Sequence, residues 1–204
     1  ITPAGPIRMG GFAERTTNST GVHDPLYAKA LYLSDGGDKV VVVTTDLICV
    51  SGALANEVAA ELHQQTGIGP DKVCITASHT HSGPDLMDIE VSTPTLAQYR
   101  MFLKSALIQA GTEAIKDATA SRVRTAVGRV GFLKNRRTRG NPNLVDERVF
   151  ALSVEDIASR QTKAVLFGCG CHPTILGYDN CLISADYPGY AQKLVEERLQ
   201  AGNA

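Results

Sequence analysis

Two of the chain's five histidines, His79 and His81, stand two residues apart in Ser78-His79-Thr80-His81-Ser82-Gly83-Pro84. They follow the β-branched run Val73-Cys74-Ile75-Thr76, where a strand is expected to end and a loop to begin. Residues i and i+2 at a strand end point the same way, so both imidazoles are expected to face one pocket. A third histidine, His172, closes an apolar run in Cys169-Gly170-Cys171-His172-Pro173-Thr174. Neutral imidazole is the commonest protein ligand for metals and a general acid/base near neutral pH. Three histidines at strand ends are the donors that a catalytic zinc site on the rim of a sheet needs. Asp46 or Asp186 could fix a histidine tautomer from behind. Asp186 equally suits the cap of the helix that follows it.

The elements that must carry these residues alternate between helix and strand. Leu26 to Leu33 alternates weakly, and Ser34-Asp35-Gly36-Gly37-Asp38 then reads as a hairpin turn. Lys39 to Thr45 reads as a buried strand. Ser51 suits an N-cap for a helix running to about Gln65, with Leu54, Val58 and Leu62 on one face and Gly67 as its stop. Asp71 to Ala77 is a further strand. Thr95 to Ala118 is a long amphipathic helix with Leu96, Tyr99, Leu103, Ala106 and Ile108 toward the core. Arg122 to Val130 alternates as a strand, and Arg148 to Val154 and Ala164 to Cys171 form an expected antiparallel pair. Tyr187 to Gln200 closes the chain as a helix. This order predicts one domain over residues 1–204, an α/β fold with a mixed sheet covered by helices. The chemically loaded residues then fall in loops at strand ends, where sites of open α/β sheets gather.

Composition narrows the function classes. The chain is 43% hydrophobic and 20% charged, ordinary for a globular protein with a core. A net charge of −1 points to neither a nucleic-acid partner nor an anionic membrane surface. The longest apolar run, Val40-Val41-Val42-Val43, is strand-like, so no transmembrane segment is expected. Gly10-Gly11 and Gly36-Gly37 match no dinucleotide or phosphate-loop pattern, and no G-x-S-x-G elbow occurs. Five cysteines form no complete disulfide set, and Cys49 and Cys74 read as small buried hydrophobes. His63 reads as a surface residue of its helix, and Asp85 and Asp88 as solvated loop charges. Ile1 rather than Met opens the chain, which fits a mature exported form or a trimmed one.

Taken in order, Gly21-Val22-His23, Thr44-Thr45-Asp46-Leu47, Ser78 to Pro84, Asn135-Arg136, Cys171-His172-Pro173-Thr174 and Ile183-Ser184-Ala185-Asp186-Tyr187-Pro188-Gly189-Tyr190 resemble the neutral/alkaline ceramidases. The block from His79 to Pro84 is the specific one; the others are short. The resemblance runs along nearly the whole chain and corresponds to the N-terminal part of that family's catalytic domain. It implies a zinc amidase that cleaves the N-acyl bond of a ceramide-like lipid. It further implies that His79 and His172 are metal ligands and His81 stands beside the substrate. His23 is then another pocket histidine, and Arg136 helps hold the amide oxygen. Zn is the implied cofactor and a small-molecule lipid or other N-acyl compound the implied partner. The family's nucleophilic serine and its glutamate and tyrosine zinc ligands lie further C-terminal. A chain with no amidase activity of its own is therefore expected. The resemblance favours an exported protein, secreted or periplasmic, over a cytoplasmic one. The rival expectation is a non-catalytic domain of the same fold that binds a ligand or partner and carries a degenerate metal site.

Overall fold

The computed structural model describes residues 1–87, 93–135, 137–138, 140–141 and 144–202. They form three sheets and three α-helices, so the α/β class expected from the sequence holds. The chain divides into two compact units. One comprises Ile1–Ala118 with Pro173–Gln192, the other Thr119–His172 with Lys193–Ala204.

In the first unit, strand β1 (Gly21–Val22) pairs in parallel with the late strand Leu182–Ile183. Strands β2 (Ala28–Ser34) and β3 (Lys39–Thr45) form the expected antiparallel hairpin. Asp35 turns it by accepting hydrogen bonds from the Gly37 and Asp38 amides, at 3.0 and 2.8 Å. Helix α1 (Gly52–Thr66) then crosses over to β4 (Val73–Ala77), which lies parallel to β3. Ser51 caps α1 by accepting from the Leu54 amide at 3.2 Å. Gly67 ends it at φ 73°, a left-handed conformation that costs glycine little, with its N–H on the His63 carbonyl. The central strand β3 buries Val41, Val43 and Thr45. Strand β4 is a sheet edge whose alternation turns Cys74 outward, so Cys74 is exposed and not the buried hydrophobe expected. Strand β4 is also shorter than predicted, because Pro70–Lys72 form a 3-10 turn before it.

Helix α2 (Pro94–Lys116) starts from a Thr93 cap with proline at its first position. It buries Leu96, Tyr99, Leu103, Leu107 and Gly111. The true core stripe thus includes Leu107, where the sequence suggested Ala106. A Cβ on Gly111 would meet Leu62 at 3.0 Å, so a residue without a side chain lets α2 approach α1 closely. The main core lies wholly in this unit and joins Ile7, Met9, Leu26, Val41, Val43, Leu47, Leu62, Leu103 and Ile183, among others. Burial of apolar surface of this kind is the chief stabilising term.

The second unit is built on β5 (Ser121–Arg129), β6 (Arg148–Asp156) and β7 (Thr162–Cys169), two antiparallel pairings in sequence order. The expected strands are therefore present, but they pair among themselves and do not extend the sheet of β2 to β4. Strand β8 (Leu182–Ile183) belongs to the first unit, and helix α3 (Asp186–Gly202) ends the described chain.

Candidate metal centre

Beyond Ala77 the chain leaves β4 and runs beside the loop that follows β3: the Ser78 amide donates to the Thr45 carbonyl and the His79 amide to the Leu47 carbonyl, both at 2.9 Å. His79 then adopts φ 68°, a left-handed conformation uncommon for a residue with a side chain. The two imidazoles are therefore brought together by a turn and not by strand periodicity, as the spacing alone had suggested. The turn is held on both sides. Thr80 Oγ1 donates to the Ser184 carbonyl at 2.8 Å, the Ser184 amide to the Ser82 carbonyl at 2.9 Å, and the Gly10 amide to the Gly83 carbonyl at 3.0 Å.

Within this loop His79 Nδ1 lies 2.7 Å from the Ile48 carbonyl oxygen. A carbonyl only accepts, so Nδ1 carries the proton and the neutral ring keeps its lone pair on Nε2. Orienting one ring nitrogen through a backbone carbonyl is the usual way to present the other to a metal. His81 is buried, with its Nε2 3.4 Å from His79 Nε2. Two ligand nitrogens on a tetrahedral zinc stand about 3.3 Å apart when each bond is about 2.0–2.1 Å. The ligand nitrogens of His79, His81 and His172 all lie within 4.8 Å of one another. His172 is exposed and is bonded directly to Pro173, whose carbonyl accepts from the His81 amide at 3.4 Å. The donor set and the tautomer of His79 fit a zinc ion.

The other residues singled out in the sequence fall elsewhere. His23 is exposed at the end of β1, its amide on the Ile183 carbonyl at 2.8 Å, and is not a member of the three-histidine group. Arg136 and Asp88 lie outside the described residues. His63 is exposed, with Nδ1 3.1 Å from the Ile68 carbonyl. Asp46 is buried and accepts from the Tyr27 amide at 2.8 Å and Gln192 Nε2 at 2.9 Å. Burial pushes its carboxyl pKa up, against those two hydrogen bonds. Asp186 neither caps α3 alone nor touches a ring in these contacts. It sits at φ 56° and accepts from the amides of Tyr187, Ile175 and Leu176, so it fixes the segment just after His172.

Two further groups, Asp24 and Arg15, are not among the residues that the sequence singles out. Asp24 accepts from Ser184 Oγ at 2.5 Å and the Ala185 amide at 2.7 Å, which ties the residue after His23 to the Ser184 strand end. Ser184 Oγ in turn accepts from the Asp186 amide at 2.9 Å. Arg15 is only 4% exposed and spends its donors on the backbone carbonyls of Gly10, His81 and Gly177. Desolvation pulls its pKa below the ordinary arginine value, with Cys181 and Asp179 opposing. Asp24 adjoins a quoted motif and could have been suspected; Arg15 carries no spacing signal at all.

Along residues 1–204 the chain matches the family described as neutral/alkaline non-lysosomal ceramidase, N-terminal. The chain belongs to this family. It is 26% identical to neutral ceramidase A of Dictyostelium discoideum over 96% of its length and 30% of that protein's. It is 28% identical to the neutral ceramidase of Pseudomonas aeruginosa over 92% of its length and 31% of that protein's. The solved structure of neutral ceramidase from Pseudomonas aeruginosa superimposes with a TM-score of 0.79 at 23% identity, over 93% of this chain and 33% of that one. A ceramidase complexed with C2 superimposes with a TM-score of 0.78 at 22% identity, over 93% of this chain and 32% of that one. At these identities the two superpositions show a shared fold. The chain thus spans about a third or less of the length of these relatives, each named a ceramidase.

Proposed function

We propose that this chain supplies the histidine part of a zinc hydrolase site that cleaves the N-acyl amide bond of a ceramide-like lipid. The observation that carries the reading is the three-imidazole group of His79, His81 and His172, with His79 Nε2 presented by the Ile48 carbonyl, in a chain of the ceramidase family. His79 and His172 would hold the metal. His81 would face the substrate, where its Nε2 can accept or deliver a proton. His23 would line the substrate side, and the Arg136 guanidinium would stabilise the oxygen anion that develops as the amide is attacked, an effect of about 3 kcal/mol for one well-placed donor. Zinc, when bound, polarises an amide carbonyl and lowers the pKa of a bound water or hydroxyl to about 7. The relatives named neutral ceramidases support a ceramide-like substrate class. The family resemblance also favours an exported protein. None of the α-helices among the described residues is long and apolar enough to cross a membrane.

A second reading rests on the 3.4 Å between His79 Nε2 and His81 Nε2, which matches two ligands on one ion. Histidine variants separate the two. In the first, made in the complete enzyme, His79→Ala abolishes zinc content by elemental analysis while His81→Ala keeps zinc and loses amide turnover. Loss of zinc from both variants would establish His81 as a third ligand and sink the division of roles. Normal zinc content in His79→Ala would remove the metal site altogether.

The 204 residues alone are expected to show no turnover of N-acyl or ester substrates with zinc added. Catalysis needs an activated nucleophile, and Ser78, Ser82 and Ser184 sit in motifs that the family resemblance does not give to the nucleophile: Ser82 Oγ accepts from Asn180, Ser184 Oγ donates to Asp24, and Ser78 Oγ is buried with no base beside it as a partner among the described residues. Turnover by the chain that vanishes in His79→Ala would contradict this. A folded chain that takes up no zinc would instead favour the non-catalytic, ligand-binding reading.

A further inference from the structure

His81 is gripped by one short stretch of chain, Gly10 to Arg15. Gly11 sits at φ 100° with its Cα against the imidazole, and a Cβ there would overlap the His81 ring. The Phe12 ring meets the imidazole edge-on, centroids 4.9 Å apart at 70°. Arg15 Nη1 donates to the His81 carbonyl at 2.7 Å and to the Gly10 carbonyl at 3.2 Å, and its guanidinium lies 5.1 Å from the Phe12 ring centre. Nη2 donates to the Gly177 carbonyl at 3.2 Å, while Nε is buried with no partner among the described residues.

Burying a guanidinium whose hydrogen bonds all go to backbone carbonyls is costly compared with an apolar side chain of the same size. A planar fork of fixed donors is, however, well suited to setting the spacing of several carbonyls at once. Here the carbonyls belong to the residue whose ring is to be placed, to Gly10 just before the glycine that packs on it, and to Gly177 in the loop after His172. We propose that Arg15 is the positioning residue of His81, acting with Gly11 and Phe12 as a clamp that holds the imidazole beside His79 Nε2. The consequence for turnover rests on the reading of His81 given above; the placement of the ring does not.

The test is two-bond 1H–15N correlation NMR of the histidine rings in the full chain, with the His81 signals assigned by their absence in His81→Gln. Arg15→Met, which keeps the apolar stem and removes the donors, is expected to shift or split the His81 ring signals and leave those of His23 and His63 in place. Arg15→Lys should restore them only in part, and Gly11→Ala should displace them through its new methyl. Leu103→Ala, in the core of α2, is the control for lost stability and should leave the His81 signals where they are. In the amidase reaction of the complete enzyme Arg15→Met should lower kcat by about 10²-fold with little change in KM, the effect of a misplaced group. Unmoved His81 signals in Arg15→Met would overturn the proposal, as would equal movement in Leu103→Ala. Failure of both Arg15→Met and Arg15→Lys to fold, with Leu103→Ala folded, would make Arg15 a folding residue and overturn it as well. A complete enzyme carrying this chain that binds zinc yet hydrolyses no amide would refute the proposed function while leaving the ring signals as the judge of the clamp.

Discussion

The two units handle polar groups in opposite ways. In the first, the buried residues include Arg15, Asp46, Thr80, His81, Ser82, Ser184 and Asp186. Nearly all of them meet backbone amides and carbonyls at loop ends. In the second, the charges stand outward as ion pairs: Arg122, Arg124 and Arg160 with Glu155, Arg129 with Glu147, and Arg148 with Asp146. Its sheet leaves Val123, Val127 and Phe150 exposed, with Val127 and Phe150 directly opposite in register. Buried polar groups are costly unless each finds a partner, so a chain gathers them where geometry must be held. Surface ion pairs contribute little and hold nothing in place. The contrast marks the first unit as the one that holds His79 and His81 in place.

Core truncation gives the largest break in this comparison. Leu103 is fully buried among the residues of the first core, so Leu103→Ala should cost about 2–5 kcal/mol in urea unfolding. Val154, 6% exposed in the second unit, should cost only about 1–2 kcal/mol as Val154→Ala. Equal losses would erase the distinction.

The pH response should differ in sign between the units. The Asp46 pKa is raised by burial in the folded state, so its favourable contribution is complete below the unfolded value and is lost as pH rises through the folded one. Asp156 is the reverse: hydrogen bonds from the Ser159 amide and the Thr119 and Ser159 hydroxyls hold its pKa at about 2. Its contribution is present above the unfolded value and is lost as pH falls toward about 2. Amide hydrogen exchange across pH 2–7 should therefore show Asp46→Asn and Asp156→Asn changing the slope of protection in opposite directions. Parallel changes would contradict the assignment. The smallest effect belongs to the exposed pair Arg129–Glu147, at 2.6 Å, where Arg129→Ala should cost less than about 1 kcal/mol. A larger loss would mean that the outward charges of the second unit do structural work.

Much of the fold could be read from local pattern. The hairpin turn at Ser34–Asp38, the Ser51 cap, the Gly67 stop and the strand Lys39–Thr45 rest on neighbours in sequence, and the structure places them within a residue or two of expectation. The family could be read as well, because Ser78 to Pro84 is a specific block and the family match spans the chain. The antiparallel pairing of β6 with β7 could also be read, and what pattern left open was which sheet these strands and β5 join. Strands β5 to β7 satisfy one another's backbone groups as consecutive antiparallel neighbours, and alternation within each strand carries no information about which sheet it joins.

The same division applies to the site. Residue type alone made His79, His81 and His172 candidates, since imidazole chemistry belongs to the side chain wherever it stands. Tertiary structure decided that their nitrogens share one small volume, that the Ile48 carbonyl sets the His79 tautomer, and that Arg15 and Gly11 hold His81. These are contacts across 31, 66 and more residues of sequence, several of them to backbone atoms that every residue possesses. Side-chain identity is written locally; the partner of a backbone carbonyl is settled only when distant segments pack.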